Sequence, residues 1–477
     1  MSPSIALTLC AILVIGLLRV ESKRNDEVSF ALWIPTLWVL IGGSRPIGRW
    51  FVANRTEVIG SLEEGSSLDR LVLSILLLVG LFILFRRKID WSGIFKDNIW
   101  LILLFGYLGV SILWTDIPFV AFKRWTRASE DIVMALVVLS ERKPLEALAS
   151  VLRRCAYVLI PVSLVLIKYF PDLGKAYSRW SGMEMWTGVA LHKNTLGQLC
   201  ALSALVLIWS LFCQYREDAG QKTKSRIYAD AIVLLLAGYL LLGSGESASS
   251  ATSLAVLIVG VGMLVLVYKG GSLSRYLVRN LKAVTVVLAL LYLAFYDLVI
   301  KLGTSMLGRD ETLTGRTEMW APLLDYASNQ PIFGVGYGGF GDAGGNQELL
   351  YQFGETMALA QAHNGYLAVY VETGIVGLGF LCLFLLAYCD RVRRELDHSF
   401  AWGALGLCLL PLTLLYNNSE ASFLQNGSYL WSVFILFTVV FSESGLRVSG
   451  GDPDLAGTEK GPQSLESWGQ VDETSKI

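Results

Sequence analysis

Charge is what this chain has least of. Only 17% of its 477 residues are Asp, Glu, Lys or Arg, while 54% are hydrophobic and the mean hydropathy is +0.53. A soluble domain carries about 25% charge, so a soluble enzyme is excluded as the class. The formal net charge of −1 leaves no basic footprint, and no nucleic-acid partner is expected. Histidine is scarcer still. His192, His363 and His398 are the whole set, they are far apart, and no HExxH occurs. No carboxylate cluster resembles a metal cage, so metal-dependent chemistry is disfavoured and no cofactor is expected. The seven cysteines fall in or beside apolar runs without a CxxC, which reads as core thiols rather than disulfides or ligands.

What is present in quantity is long apolar sequence. A helix needs roughly 20 such residues to cross about 30 Å of hydrocarbon. Candidate spans are 4–20, 29–43, 68–85, 98–114, 125–140, 145–167, 195–213, 229–243, 249–268, 281–299, 362–387, 400–416 and 428–442. The expected fold is all-α, a polytopic membrane bundle of about 12–13 helices over residues 1–444, with no soluble catalytic domain attached. Residues 445–477 are polar and poor in aromatics, and read as a disordered cytoplasmic tail. The first span lacks a basic n-region, so it is read as a span and not a cleaved signal.

Lys and Arg set the orientation. Connections 86–97, 141–154, 214–228 and 269–282 carry four each, and 19–28 and 388–398 carry three each. They alternate along the spans, which assigns them to the cytoplasm. Segments 44–67, 115–124, 168–194, 244–248, 300–361 and 417–427 then face outward, with the N-terminus outside and the C-terminus inside.

Residues 300–361 are the longest polar segment, and a loop of that length is either functional or disordered. Within 316–328, Trp320, Leu323, Leu324 and Ala327 follow i, i+3, i+4, i+7, which predicts a short amphipathic helix along the bilayer surface. Pro322 is expected to start or kink it and Pro331 to end it. GVGYGGFG at 334–341 matches GxGxxG twice, but no strand precedes it and no βαβ unit contains it, so a tight turn replaces the dinucleotide reading.

The outward face holds more cations than solvation requires, among them Lys123, Arg124, Lys168, Lys175, Arg179, Lys193, Arg309 and Arg316, with Arg127 just inside the next span. These read either as solvated or headgroup-bound charge, or as an anion site. Arginine suits a phosphate through its planar fork. Lys193, in HKN at 192–194, opens a span where helix-start N–H groups add donors. His363 opens another span. A helix N-terminus disfavours imidazolium, so a neutral ring able to take a proton from a hydroxyl is expected there. Asn364 adds an adjacent donor and acceptor. Glu372, inside the same span, is expected to face the bundle interior, as a structural or functional carboxylate.

With these residues in hand, the chain resembles the O-antigen ligase and polysaccharide polymerase superfamily of bacterial membrane glycosyltransferases. The resemblance rests on Arg316-x-x-x-Trp320, PIFGVGYGGF at 331–340 and AHNGYLAVYVETGIVGLGF at 362–380. LWTDIPFVAFKRW at 113–125 and GVALHKNTLG at 188–197 support it. The set is ordered from about 110 to 380, within a related core of about 110–440. The HKN and WTDIP elements, and NNSEASF at 417–423, look like the exopolysaccharide-polymerase side.

The resemblance implies an inner-membrane enzyme with its site facing the periplasm and a lid helix in the large loop. It implies metal-independent, inverting transfer of a glycan from undecaprenyl diphosphate. The acceptor hydroxyl would belong to lipid A–core or to another lipid-linked glycan. The family's essential histidine corresponds to His363 and its loop arginine to Arg316. Many ligases also carry a cation in a short outer segment before a later span. The matching stretch here, GSGESASSATSL at 243–254, has none, so a second diphosphate clamp must come from elsewhere, such as Lys193 or Arg124. Ligase and polymerase both remain open, as does a transporter or flippase for a lipid-linked or anionic substrate. The latter class often shows internal repeats with broken helices; no inverted repeat is evident here, and the one-sided loop argues against alternating access.

Overall fold

A computed structural model describes residues 2–24, 27–51, 66–177, 182–216, 224–243, 250–295, 316–340 and 362–442. The expected tail at 445–477 and loop stretches 300–315 and 341–361 lie outside the described residues, as do Arg179 and Arg309. Everything else is helical apart from short connections and one hairpin of two three-residue strands, β1 (Lys175–Tyr177) and β2 (Glu184–Trp186), which pair antiparallel. The chain is an all-α polytopic membrane protein.

Each expected apolar stretch has a helical counterpart. The helices are α1 (Pro3–Ser22), α2 (Trp33–Gly42), α3 (Ser67–Arg86), α4 (Trp91–Asp97), α5 (Ile99–Ser111), α6 (Pro118–Leu139), α7 (Pro144–Tyr169), α8 (Pro171–Gly174), α9 (Lys193–Arg216), α10 (Lys224–Leu242), α11 (Ala251–Lys269), α12 (Ser272–Arg279), α13 (Leu281–Ala294), α14 (Arg316–Ser328), α15 (Gly365–His398), α16 (Phe400–Tyr416) and α17 (Tyr429–Val440). Among the described residues, seven are long and apolar enough to cross a bilayer by themselves, or up to eight if the pair bent by 84° at Asn98 forms one span. The remaining expected spans are shorter apolar helices, together with the charged α6.

Burial separates the helices into layers. Every residue of α17 is buried, as expected of a helix that is apolar all round and central. In α1, α3 and α13, Ile12, Leu78, Phe85 and Leu288 are exposed, a face suited to lipid. The amphipathic α6 turns Glu130 and Asp131 inward, where Asp131 accepts from Trp38 Nε1 (2.7 Å) and Ser432 Oγ (2.6 Å). An ionisable group at that depth needs such partners.

The two sets of connections gather at opposite ends, as the Lys/Arg alternation requires. One end holds Arg24–Asp230 (3.2 Å), Arg153–Glu21 (3.5 Å), Arg87–Glu141 (2.5 Å) and Lys282–Asp390 (2.5 Å). Arg391 there donates to Asn98 Oδ1 and to the Thr438 carbonyl, tying in the end of α17. The other end holds the β-hairpin, the start of α9, residues 331–340, the start of α15 and the connection 417–428.

Helix α15 is broken at Gly374, whose φ of 63° and ψ of −165° are non-helical. Such a break frees backbone groups that lipid cannot satisfy. The glycine-rich segment satisfies them. Val335 N donates to Val371 O, while Ile375 N and Val376 N donate to Pro331 O and Ile332 O. Tyr107 Oη donates to Thr373 O and Phe333 O. A Cβ on Gly374 would lie 2.3 Å from Ile332 O, and one on Gly334 would lie 2.5 Å from the backbone of 372–374. These glycines are therefore explained by close approach as well as by positive φ, and the turn is buried in the bundle wall.

Candidate functional site

Three segments far apart in sequence meet at the second of these two ends: HKN at 192–194, AHN at 362–364 and NNSEASF at 417–423. The last is the organiser. Asn417 Oδ1 accepts from Ser422 N (2.8 Å) and Phe423 N (3.0 Å), which folds the loop back on itself. Its carbonyl takes Gly365 N (2.7 Å), fixing the start of α15. Gln198 Nε2 donates to Ser422 Oγ (2.9 Å), and Tyr416 Oη to Asn194 O (2.5 Å), fixing the start of α9.

Glu420 is held at the centre of this junction. Its Oε2 lies 3.0 Å from His363 Nδ1, and its Oε1 accepts from Asn194 Nδ2 at 2.5 Å. His363 has φ of 44°, in the left-handed region where a non-glycine residue is strained by about 1–3 kcal/mol. The following Asn364 is the N-cap of α15, accepting from Tyr366 N (3.0 Å) and Leu367 N (3.1 Å). Its Oδ1 is thus used by the helix. The His363 side chain keeps 35% exposure and Glu420 14%, so the ring is reachable while its partner is shielded. With the proton on Nδ1, the ring donates to Glu420 and Nε2 is left as an acceptor. A base oriented by a largely shielded carboxylate through its other nitrogen suits hydroxyl activation.

Other sequence-derived site residues are distributed differently. Lys193 is the first residue of α9, beside Asn194 and therefore in this cluster. Arg124 donates to the carbonyls of Gly338 (2.7 Å) and Phe340 (3.3 Å), so it clasps the glycine-rich turn. Glu372 is buried, nine residues beyond His363 and so about 13 Å along the helix axis. It shares the surroundings of Tyr337 with Arg124, Arg127 and Asp131. Arg316 opens α14, and only its backbone is described. Among the described residues, three further candidate cations have protein partners: Lys175 with Glu184 (2.9 Å), Lys168 over Tyr239 and Lys123 over Phe119.

Helix α14 forms where the i, i+3, i+4, i+7 pattern lies, but its apolar face is turned onto the protein. Trp320, Leu323 and Ala327 are buried against Ala362, Ala368 and Phe340, while Leu324 is half exposed. Trp320 Nε1 donates to Ala362 O (2.8 Å), one residue before His363. The periodicity could not distinguish lipid from protein as the covering surface. Pro322 lies inside the helix, which starts six residues earlier.

Glu420 is the candidate site residue that sequence reasoning missed. A single carboxylate in a short outer connection looks like solvated charge. The only signal was the company it kept in NNSEASF.

Residues 231–382 match the O-antigen ligase family, a stretch from α10 through the long loop into α15. The chain is also 24% identical over 311 residues to the exopolysaccharide production protein ExoQ of Rhizobium meliloti (strain 1021), covering 64% of this chain and 68% of that one. Together the two matches support an O-antigen ligase/polymerase-like family.

Proposed function

We propose that this O-antigen ligase/polymerase-like membrane protein transfers a glycan from undecaprenyl diphosphate to a sugar hydroxyl at the periplasmic face of the inner membrane. The observation that carries the reading is the His363–Glu420 pair at the outer end, inside the junction of HKN, AHN and NNSEASF. In this mechanism the acceptor oxygen attacks the anomeric carbon as the carbon–oxygen bond to the diphosphate breaks. The diphosphate leaves with the bonding electrons, and the hydroxyl proton passes to His363 Nε2. Direct displacement inverts the anomeric centre. The diphosphate is a good leaving group, so charge stabilisation matters more than general-acid help. Lys193, beside the pair, and Arg316, at the start of the helix that packs against Ala362, supply positive charge in place of a metal. Asn364 acts by holding the start of α15. Arg124 and Glu372 act through the wall built by the glycine-rich turn.

The similarity to an exopolysaccharide production protein of Rhizobium favours the exopolysaccharide side, and polymerase and ligase share the donor and the base. Deleting the gene distinguishes them. A polymerase deletion leaves single repeat units, and a ligase deletion leaves lipid A–core uncapped with long lipid-linked polymer retained. Purified enzyme is expected to keep its activity in excess EDTA. Loss of activity restored by a stoichiometric metal, or a deletion that alters no surface or secreted glycan in the absence of a paralogue, turns the case toward a metal enzyme or a transporter respectively.

A further inference from the structure

The stretch 243–254 carries no cation, so further charge for the proposed donor has to come from other parts of this end of the bundle. The structure offers one such charge, from a part of the chain no motif pointed to. The connection after α2 folds into a short 3-10 turn, Ile47–Trp50, pinned from both sides. Gly48 N donates to the Asp69 carboxylate (3.3 and 3.4 Å). Asp69 also accepts from Ser66 N (3.2 Å) and Ser66 Oγ (2.7 Å) in the capping box of α3. Arg45 is buried, and its side chain donates to the carbonyls of Leu173, Gly188, Val189 and Ala190. Arg45 N donates to Val189 O (2.8 Å). The turn is therefore bonded to the strand of chain that runs straight on into His192, Lys193 and Asn194.

Arg49 stands on this turn. Its guanidinium is half-buried, yet it makes no hydrogen bond or ion pair with any described residue. Among the described residues, Asp69 is an acid acting on it, but that carboxylate is committed to Gly48 and Ser66. Burial draws the Arg49 pKa down and Asp69 opposes this, while a guanidinium stays charged at neutral pH. Arg49 is close enough to act on His192, which also feels Glu420 and His363. A charged fork on a pinned turn, with no acceptor among the described residues, is suited to a ligand that brings oxygens.

We infer that Arg49 is a phosphate-binding residue of this site, its guanidinium contacting the donor's diphosphate across from Lys193. The assignment rests on the transferase reading above. It concerns the N-terminal part of the chain, outside the family-matched residues 231–382.

The test is direct binding of farnesyl diphosphate to the detergent-purified full chain, measured by calorimetry. Wild type is expected to bind. Arg49→Gln should bind at least about tenfold more weakly, the scale of one charge-assisted hydrogen bond lost. Arg49→Lys should lose part of the affinity, because it keeps the charge without the fork. Lys175→Gln, an outer-face cation paired with Glu184, should bind like wild type. Thermal melts identify any variant that fails to fold, and if Arg49→Gln does, Arg49→Lys carries the comparison. Wild-type affinity in Arg49→Gln or, if it must stand in, Arg49→Lys overturns the inference and leaves the transferase reading intact. Absence of binding by wild type overturns both. If Arg49→Gln instead weakens binding of phosphatidylglycerol and farnesyl diphosphate does not compete for it, Arg49 is a lipid-headgroup anchor and the inference fails.

Discussion

His363 Nδ1 lies 3.0 Å from Glu420 Oε2, joining two residues 57 positions apart, one just before the start of α15 and one just past the end of α16. The contact gives the ring a fixed orientation and gives the carboxylate a purpose. It also turns a histidine whose position alone suggested a base into one with an orienting partner.

The pair makes a paired forecast. His363→Ala should abolish glycan transfer while the protein remains in the membrane at its normal level, since a positioned base is worth about 10²–10⁴-fold. Glu420→Gln should lower kcat on the order of 10²-fold with the donor KM little changed, because the hydrogen-bond partner then no longer selects one tautomer. Steady-state kinetics on purified enzyme read both. Unchanged kcat in Glu420→Gln would mean that the carboxylate only braces Asn194.

Arg316 is expected to be more demanding than its charge. Arg316→Lys should lose most of the transfer activity, since an ammonium cannot reproduce two parallel hydrogen bonds to a diphosphate. Full activity in the lysine variant, assayed with the purified protein, supports a role in holding α14 at the surface.

Gly374→Ala should be destabilising by about 2 kcal/mol or more. The residue sits at φ 63°, and the added Cβ would press on Ile332 O at 2.3 Å. Melting in detergent should show the drop. A melt equal to wild type would show that the wall of the glycine-rich turn yields easily.

Topology is checked with reporter fusions at Gln347 and Gln221. Opposite signals are expected, with Gln347 outward and Gln221 inward, from the alternation of Lys and Arg. Matching signals would remove the long loop from the donor's side and undo the placement of the site.

The sequence by itself determined the bundle. Apolar runs of about 20 residues must be helices in lipid, because no other open element satisfies its own backbone there. Lys and Arg in alternate connections likewise determined which connections share an end. His363 and Lys193 were legible because each opens a span, a position that sequence reveals. Tertiary structure decided what touches what. The break at Gly374 is legible only beside Pro331–Val335, whose carbonyls and amide take up the groups it frees. Arg124, an expected clamp, became the clasp of Gly338 and Phe340, since a guanidinium binds the nearest carbonyls as readily as a ligand. Glu420 and Arg49 were hidden for one physical reason. A charge in an irregular connection has no period to reveal it, and its chemistry depends on neighbours that only folding brings close.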